Sequence, residues 1–414
     1  MKRRGPELLV AVWAAITFGA LLASYMAFRP VRDALVLGDW DNLPWLFTAT
    51  LIAVAILSSA WTAILGRARP RRTVPKAFHA FAACCLVFAV LVGNDIAPVA
   101  VSRVFYVWSA AFNLFVVSVF WGLLADLLGP VIAKRLYGPI AAGGTVGAIA
   151  GPALTRLLVD VIGIDGVLVM SAVLLEVAVI GVTQVRRHGE ALDREDGVPP
   201  DEPTPGGALR GFQRVARSPY LLGIVAYVLC TATAATFMYL EQAAIVRAQL
   251  PDRVQATELF ATIDLWTQAG TFVVQTIIAT PLLAWVGPGL VLALLPLAQG
   301  IGISALAAAP VVETLVPVQI VTRTITHGLA RPARELLFTV VSRDDKYQAK
   351  HAIDTFGYRL GDFGSAWLHK ALKASGAGGV ALVGAMLPLA AVWMGIALFL
   401  GVGYRRRLHE KESS

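Results

Sequence analysis

Apolar residues run in stretches of about twenty along nearly the whole chain, separated by short polar segments. About twelve stretches are legible, near 8–28, 46–65, 78–98, 101–128, 136–160, 164–184, 219–244, 258–285, 289–309, 311–341, 351–374 and 379–403. As a helix, each is long enough to cross a hydrocarbon layer of roughly 30 Å. Lipid offers no partner to an open strand edge, and the runs lack the alternation of a membrane barrel. The pattern therefore predicts an all-α integral membrane protein of about twelve transmembrane helices. The connections between the third and fourth spans and between the ninth and tenth are very short. The first run resembles a signal peptide, but no small-x-small cleavage site follows, so it is read as a retained first span.

The longest hydrophilic stretch holds Pro199-Pro200, Pro203, Pro205 and Gly206-Gly207 among mixed charges, the composition of a loose linker. It divides the spans six and six, which predicts a major-facilitator-like arrangement. The expected organisation is an N-terminal six-helix bundle (1–185), a cytoplasmic linker (186–218), a C-terminal six-helix bundle (219–404) and a cytoplasmic tail (405–414). In the fifth span Gly143, Gly144, Gly147 and Gly151 precede Pro152. No Gly-Lys-Ser/Thr follows, so a phosphate loop is set aside for a face of small residues that lets helices approach closely.

The composition is 57% hydrophobic and 15% charged, with a net charge of +8. A basic chain invites a nucleic-acid reading, and the placement of the charge rejects it. Lys2, Arg3 and Arg4 precede the first span, Arg67, Arg69, Arg71, Arg72 and Lys76 follow the second, and Lys134 and Arg135 follow the fourth. Further clusters follow the sixth and tenth spans, and Arg405, Arg406 and Arg407 follow the last. The intervening connections are poorer, with Arg103, Arg247, Arg253 and Lys373 as their main cations. This alternation is the positive-inside bias and places both termini in the cytoplasm. Cys84, Cys85 and Cys230 all fall in apolar runs and imply no disulfide or metal framework. No metalloprotease, nucleophile-elbow or dinucleotide-binding motif occurs, so neither enzyme, metal nor cofactor is expected.

The informative residues are the charges inside the spans. Arg29-Pro30-Val31-Arg32-Asp33 closes the first span, and Arg331-Pro332-Ala333-Arg334-Glu335 repeats its pattern within the tenth. An arginine at mid-bilayer costs about 3 kcal/mol to insert, which a polar cavity holding anions would explain. In the tenth span Arg323, His327, Arg331 and Arg334 share an arc of roughly 80°, a cationic face suited to phosphate or carboxylate oxygens. Pro332 should loosen that helix and free a carbonyl. The competing reading is that these arginines are neutralised by Glu335, Asp354 or Asp362 and hold helices together. The eleventh span answers with Lys350, Asp354, Tyr358 and Asp362 at four-residue steps, with Arg359 off that stripe. Tyr358 can stack on a base, although packing is the commoner role of such an aromatic. The eighth span carries Asp264, Gln268, Thr271 and Gln275, to bond a neutral moiety or a neighbouring helix. Asn113 in the fourth span and Glu241 in the seventh complete the polar candidates.

Arg103-Val-Phe-Tyr-Val-Trp108, Phe112 to Trp121, Lys134 to Gly138 with the glycine run, and Arg331-Pro332 through Asp354 resemble the ATP/ADP-translocase (nucleotide transporter) family. That family is known from plastids and intracellular bacteria and is similar in shape to the major facilitators. The resemblance implies an alternating-access antiporter of nucleotides, in a divergent bacterial branch, located in the inner (plasma) membrane. The family's basic residue near Arg32 is kept, as is its glutamate near Glu241. Its glutamate near Asn113 is absent, and its lysine near Asp362 is an acid here.

The leading expectation is a carrier of an anionic, phosphorylated solute, ATP, ADP or another nucleotide first. Substrate contacts would come from Arg29, Arg32, Asn113, Glu241, Arg323, His327, Arg331, Arg334 and Tyr358. Asp33, Glu335, Asp354, Arg359 and Asp362 would balance charge in the empty site. Two alternatives stand beside it: proton-coupled transport of another organic anion, with Asp362 or Glu241 taking the proton, and a non-transporting membrane sensor or scaffold on a carrier fold. Besides solute, the expected partners are membrane lipids.

Overall fold

The computed structural model describes residues 4–65, 70–128, 130–193, 218–341, 353, 357–376 and 379–412, and no strand occurs among them. The chain is an all-α membrane protein. α1 (Arg4–Val36) ends in a 3₁₀ turn, Leu37–Asn42, and is followed by α2 (Leu43–Leu65), α3 (Pro70–Gly93) and α4 (Pro98–Leu127). The run Pro130–Asp193 breaks at Gly163 into α5 (130–162) and α6 (164–193). α7 (Pro219–Gln249) follows, then a run from Arg253 to Ala308 that breaks at Gly287 into α8 (253–286) and α9 (288–308). α10 (312–340) is composite, α11 spans Tyr358–Ala374 and α12 spans Gly379–Glu412. The expected linker falls largely on residues 194–217, outside the described residues, as do Lys350 and Asp354.

Among the described residues, seven helical runs are long and apolar enough to cross a membrane. Three of them hold two spans each, so they account for every helix except α10 and α11. α10 carries the cationic stripe, and α11 is described over only 17 residues.

The short third-to-fourth and ninth-to-tenth connections are present, at 94–97 and 309–311. Tighter ones occur at Gly163 (φ 71°, ψ 177°) and Gly287 (φ 79°, ψ 167°), where a single residue reverses the chain. That conformation is essentially restricted to glycine. Gly376 is the remaining described glycine with positive φ. Counting helices in threes, all three glycines join the second helix of a triplet to its third. The fold repeats one local solution.

The glycine run of α5 does what its spacing predicts. Gly143, Gly147 and Gly151 lie against the backbones of Ala15, Gly19 and Ala23 of α1, with no room for a Cβ. The row continues as Thr155 Oγ1 donates to the Ala27 carbonyl at 2.8 Å. Both helices advance by four residues per contact, so the two backbones interlock through small residues. α7 and α11 pair similarly, Gly357 against Val228 and Gly361 against Ala232.

Two compact units result: Met1–Asp39 with Ile52–Glu202 and Leu250–Gln268, and Trp40–Leu51 with Pro203–Gln249 and Ala269–Ser414. The first is centred on Phe28, Phe105, Trp108 and Phe112, whose ring centroids pack 5.1–5.8 Å apart. The second buries Leu292, Ala397 and Leu400, and Trp393 against Tyr227.

Candidate functional site

α10 carries the site in the second unit. Pro332 has no N–H and its ring crowds the carbonyl of Gly328, so an α-helical turn cannot close there. The helix widens instead into a π segment, Thr326–Ala330, in which the Arg331 N–H reaches the Thr326 carbonyl, five residues back. Gln275 Nε2, from a second π segment in α8, donates to the His327 carbonyl at 3.0 Å. A carbonyl freed by the proline was expected, and a side chain of α8 takes one in this stretch.

Beside this turn lies a cavity of about 310 Å³, lined by Tyr227, Thr231, His327, Arg331, Arg334 and Tyr358 together with Thr326 and Ala330. Its two arginines differ. Arg334 is 5% exposed: Nη1 donates to the Tyr358 hydroxyl at 2.8 Å, Nη2 lies 3.6 Å from Glu335 Oε1, and the guanidinium sits 5.4 Å from the centre of the Tyr358 ring. Arg331 is exposed to the cavity, and no described residue offers it an ion pair or a hydrogen bond. Tyr227 donates its hydroxyl to the Leu292 carbonyl at 2.9 Å, which fixes that wall.

Arg323 is half-buried and does not line this cavity. The one-face expectation assumed an unbroken α-helix. A π segment adds the equivalent of one residue to the turn and rotates what precedes it, so 326, 330 and 334 join 327 and 331 on the cavity wall.

Other candidates lie elsewhere. In the first unit α1 continues as helix through Pro30, so Arg29 and Arg32 lie within the helix and not beyond its end. Arg29 Nη1 is 3.4 Å from the buried Asp264 Oδ1, so Asp264 meets a neighbouring helix, the second of the two roles expected of its span. Arg32 binds its neighbour Asp33 at 2.6 Å and stands 5.2 Å from the centre of the Tyr106 ring. Asn113 is half-buried on α4, two turns from Tyr106. In the second unit Glu241 Oε1 lies 3.3 Å from Nε2 of the buried His369. Asp362 accepts a hydrogen bond from Thr236 Oγ1 at 3.1 Å and feels the charge of Arg359 from beyond ion-pair distance. Its place on α11 turns it toward α7. Gln275, picked out by its spacing on the eighth span, bonds a neighbouring helix, one of its two expected roles. Tyr227 lines the site without standing out in the sequence, because an isolated hydroxyl gives no spacing signal.

No known protein family and no curated protein matches the sequence. Solved structures do match. The nucleoside transporter NupG superposes with a TM-score of 0.62 at 13% identity, covering 98% of this chain and 99% of its own. A point mutant of it gives 0.63 at 11%, with 97% and 100% covered. A bacterial homolog of the human lysosomal transporter Spinster, in an inward-facing, unoccupied conformation, gives 0.59 at 13%, with 98% and 97% covered. The fold is that of the major facilitators. At these identities the likeness establishes architecture, and the major-facilitator fold expected from the six-plus-six pattern is the one found.

Proposed function

We propose that this protein is an alternating-access membrane carrier, not an enzyme, whose substrate is an anionic phosphorylated solute, a nucleotide first of all. The single observation that carries the reading is Arg331: a cation within a membrane helix, facing a cavity of about 310 Å³, with no described partner. An intramembrane charge left without an acid is expensive unless a ligand supplies the counter-charge. A phosphate binds a guanidinium through two parallel hydrogen bonds, and a low dielectric strengthens the pair. His327 adds a second donor on the same wall, and Tyr227 and Tyr358 offer ring edges and faces to a base or sugar.

Arg334 supplies the conformational coupling. Its contact with Glu335 Oε1 at 3.6 Å is loose enough for a substrate phosphate to replace it. A ligand that substitutes for an internal acid in one state only has the differential affinity a two-state carrier needs. Arg32, held by Asp33 beside Tyr106, is the corresponding arginine of the first unit and a second candidate for phosphate. The resemblance to nucleotide exchangers and the fold shared with a nucleoside transporter support a nucleotide-like solute.

The test is uptake of labelled ATP into proteoliposomes preloaded with ADP, then with other nucleotides and sugar phosphates. Arg331→Glu is expected to abolish uptake while the protein elutes and melts as wild type does. Undiminished uptake by that variant removes Arg331 from the site and ends the reading. Glu241 beside the buried His369 favours a second reading, proton-coupled transport of another organic anion. Uptake that rises steeply with external acidity and needs no internal counter-solute would select it.

A further inference from the structure

α11 borders a second cavity at its other end. It too measures about 310 Å³, and Trp40, Asp41, Leu240, His369, Lys370 and Lys373 are among its lining. These residues all belong to the second compact unit. Lys373 lies fifteen residues beyond Tyr358 on the helix, about 20 Å along its axis, so this is a different place from the Arg331 cavity.

The charges around it do not balance. His369 is buried against Glu241, which is thereby engaged. Lys373 Nζ stands 3.9 Å from the centre of the Trp40 ring and 3.4 Å from Asp41 Oδ1. Asp41 also serves Arg247, at 3.8 Å, and its side chain is 70% exposed. Lys370, one turn earlier, rests its ammonium 5.4 Å from the Trp367 ring and meets no described acid. Arg247 and Lys373 thus share one exposed carboxylate, and Lys370 has no acid among the described residues. Elsewhere on the cation-poor side of the chain each arginine has its own acid: Arg103 has Asp39 and Arg253 has Asp95. The positive-inside bias gives no reason for a surplus here.

We infer that this cavity is a second anion site, built for a phosphate group, with the ammonium groups of Lys370 and Lys373 as its two donors. A doubly charged phosphate placed between them takes Lys373 from Asp41. An exposed ion pair of that kind is weak, worth about 0–1 kcal/mol, so the exchange favours the incoming group. Asp41 belongs to the turn Leu37–Asn42, so occupancy also releases that turn from α11. The same chemistry fits the phosphate of a soluble solute and that of a lipid headgroup.

Calorimetric titration with inorganic pyrophosphate separates these outcomes, using the full-length protein in nanodiscs of zwitterionic lipid. Starting from Arg331→Gln removes the first cavity from the measurement, and pyrophosphate binding is expected to survive there. Adding Lys370→Gln, which breaks no ion pair, is expected to weaken that binding about tenfold, and Lys373→Gln similarly. Adding Asp41→Asn removes the competing acid and is expected to tighten it. Discs containing phosphatidylglycerol weaken pyrophosphate binding if a headgroup occupies the site, and leave it unchanged if the site takes soluble phosphate. The inference is overturned if Arg331→Gln alone abolishes binding, or if both the Lys370 and Asp41 variants bind as their parent does. Failure of nucleotide uptake would leave it untouched.

Discussion

Two arginines three residues apart on α10 face different fates, and substitution distinguishes them. Arg331 has no described partner, so Arg331→Gln is expected to leave the melting temperature unchanged while uptake is lost. Arg334 is buried and donates to Tyr358 at 2.8 Å. Tyr358→Phe keeps the ring beside the guanidinium and removes the hydroxyl, which should cost about 2 kcal/mol of stability, since the lost bond is made to a charged group. A thermal-shift comparison in detergent reads both, and a destabilised Arg331→Gln would mark that arginine as structural. The cationic stripe was legible because arginine is costly in a membrane helix and helical spacing collects residues on one face. What each charge touches was not legible. Arg29 takes Asp264 from far along the chain, and Asp362 turns to Thr236, because helix adjacency is decided by packing that no local spacing records.

At the scale of elements, α1 and α5 depend on the absence of side chains along one row. Gly147 faces the Gly19 backbone with no space for a Cβ, so Gly147→Val must part the helices or distort them. Much less folded protein, and a lower melting temperature for what remains, is the expected result on gel filtration and thermal denaturation. Gly138→Ala, a glycine with nothing within 4 Å of an added Cβ, is the control and should behave as wild type. Wild-type stability in Gly147→Val would show that this contact does not hold the unit together. The small-residue face was readable from a four-residue spacing. The π segment of α10 was only half readable: Pro332 announces that the helix cannot continue unchanged, but whether it kinks, stops or widens depends on what neighbouring helices offer. Gln275 on α8 offers an amide, and the helix widens.

For the whole molecule, hydrophobic runs and one polar linker were enough to predict an all-α membrane protein of the major-facilitator type, and the superposition over 97–98% of the chain agrees. Orientation rests on charge alone. Arginines and lysines cluster after even-numbered spans, and moving them across a membrane against its potential is unfavourable, so both termini and the linker are expected in the cytoplasm. The connection from α11 to α12 is then outside, and with it the end of α11 that carries Lys370 and Lys373. A cysteine-free protein, with Cys84, Cys85 and Cys230 replaced by serine or alanine, allows this to be measured in intact cells. Ser375→Cys, at an exposed position in that connection, should react with a membrane-impermeant maleimide without permeabilisation. Thr204→Cys, in the linker, should react only after it. The opposite pattern would invert the molecule, placing the phosphate-type cavity of Lys370 on the cytoplasmic face, where it would meet solute leaving the cell and not solute arriving.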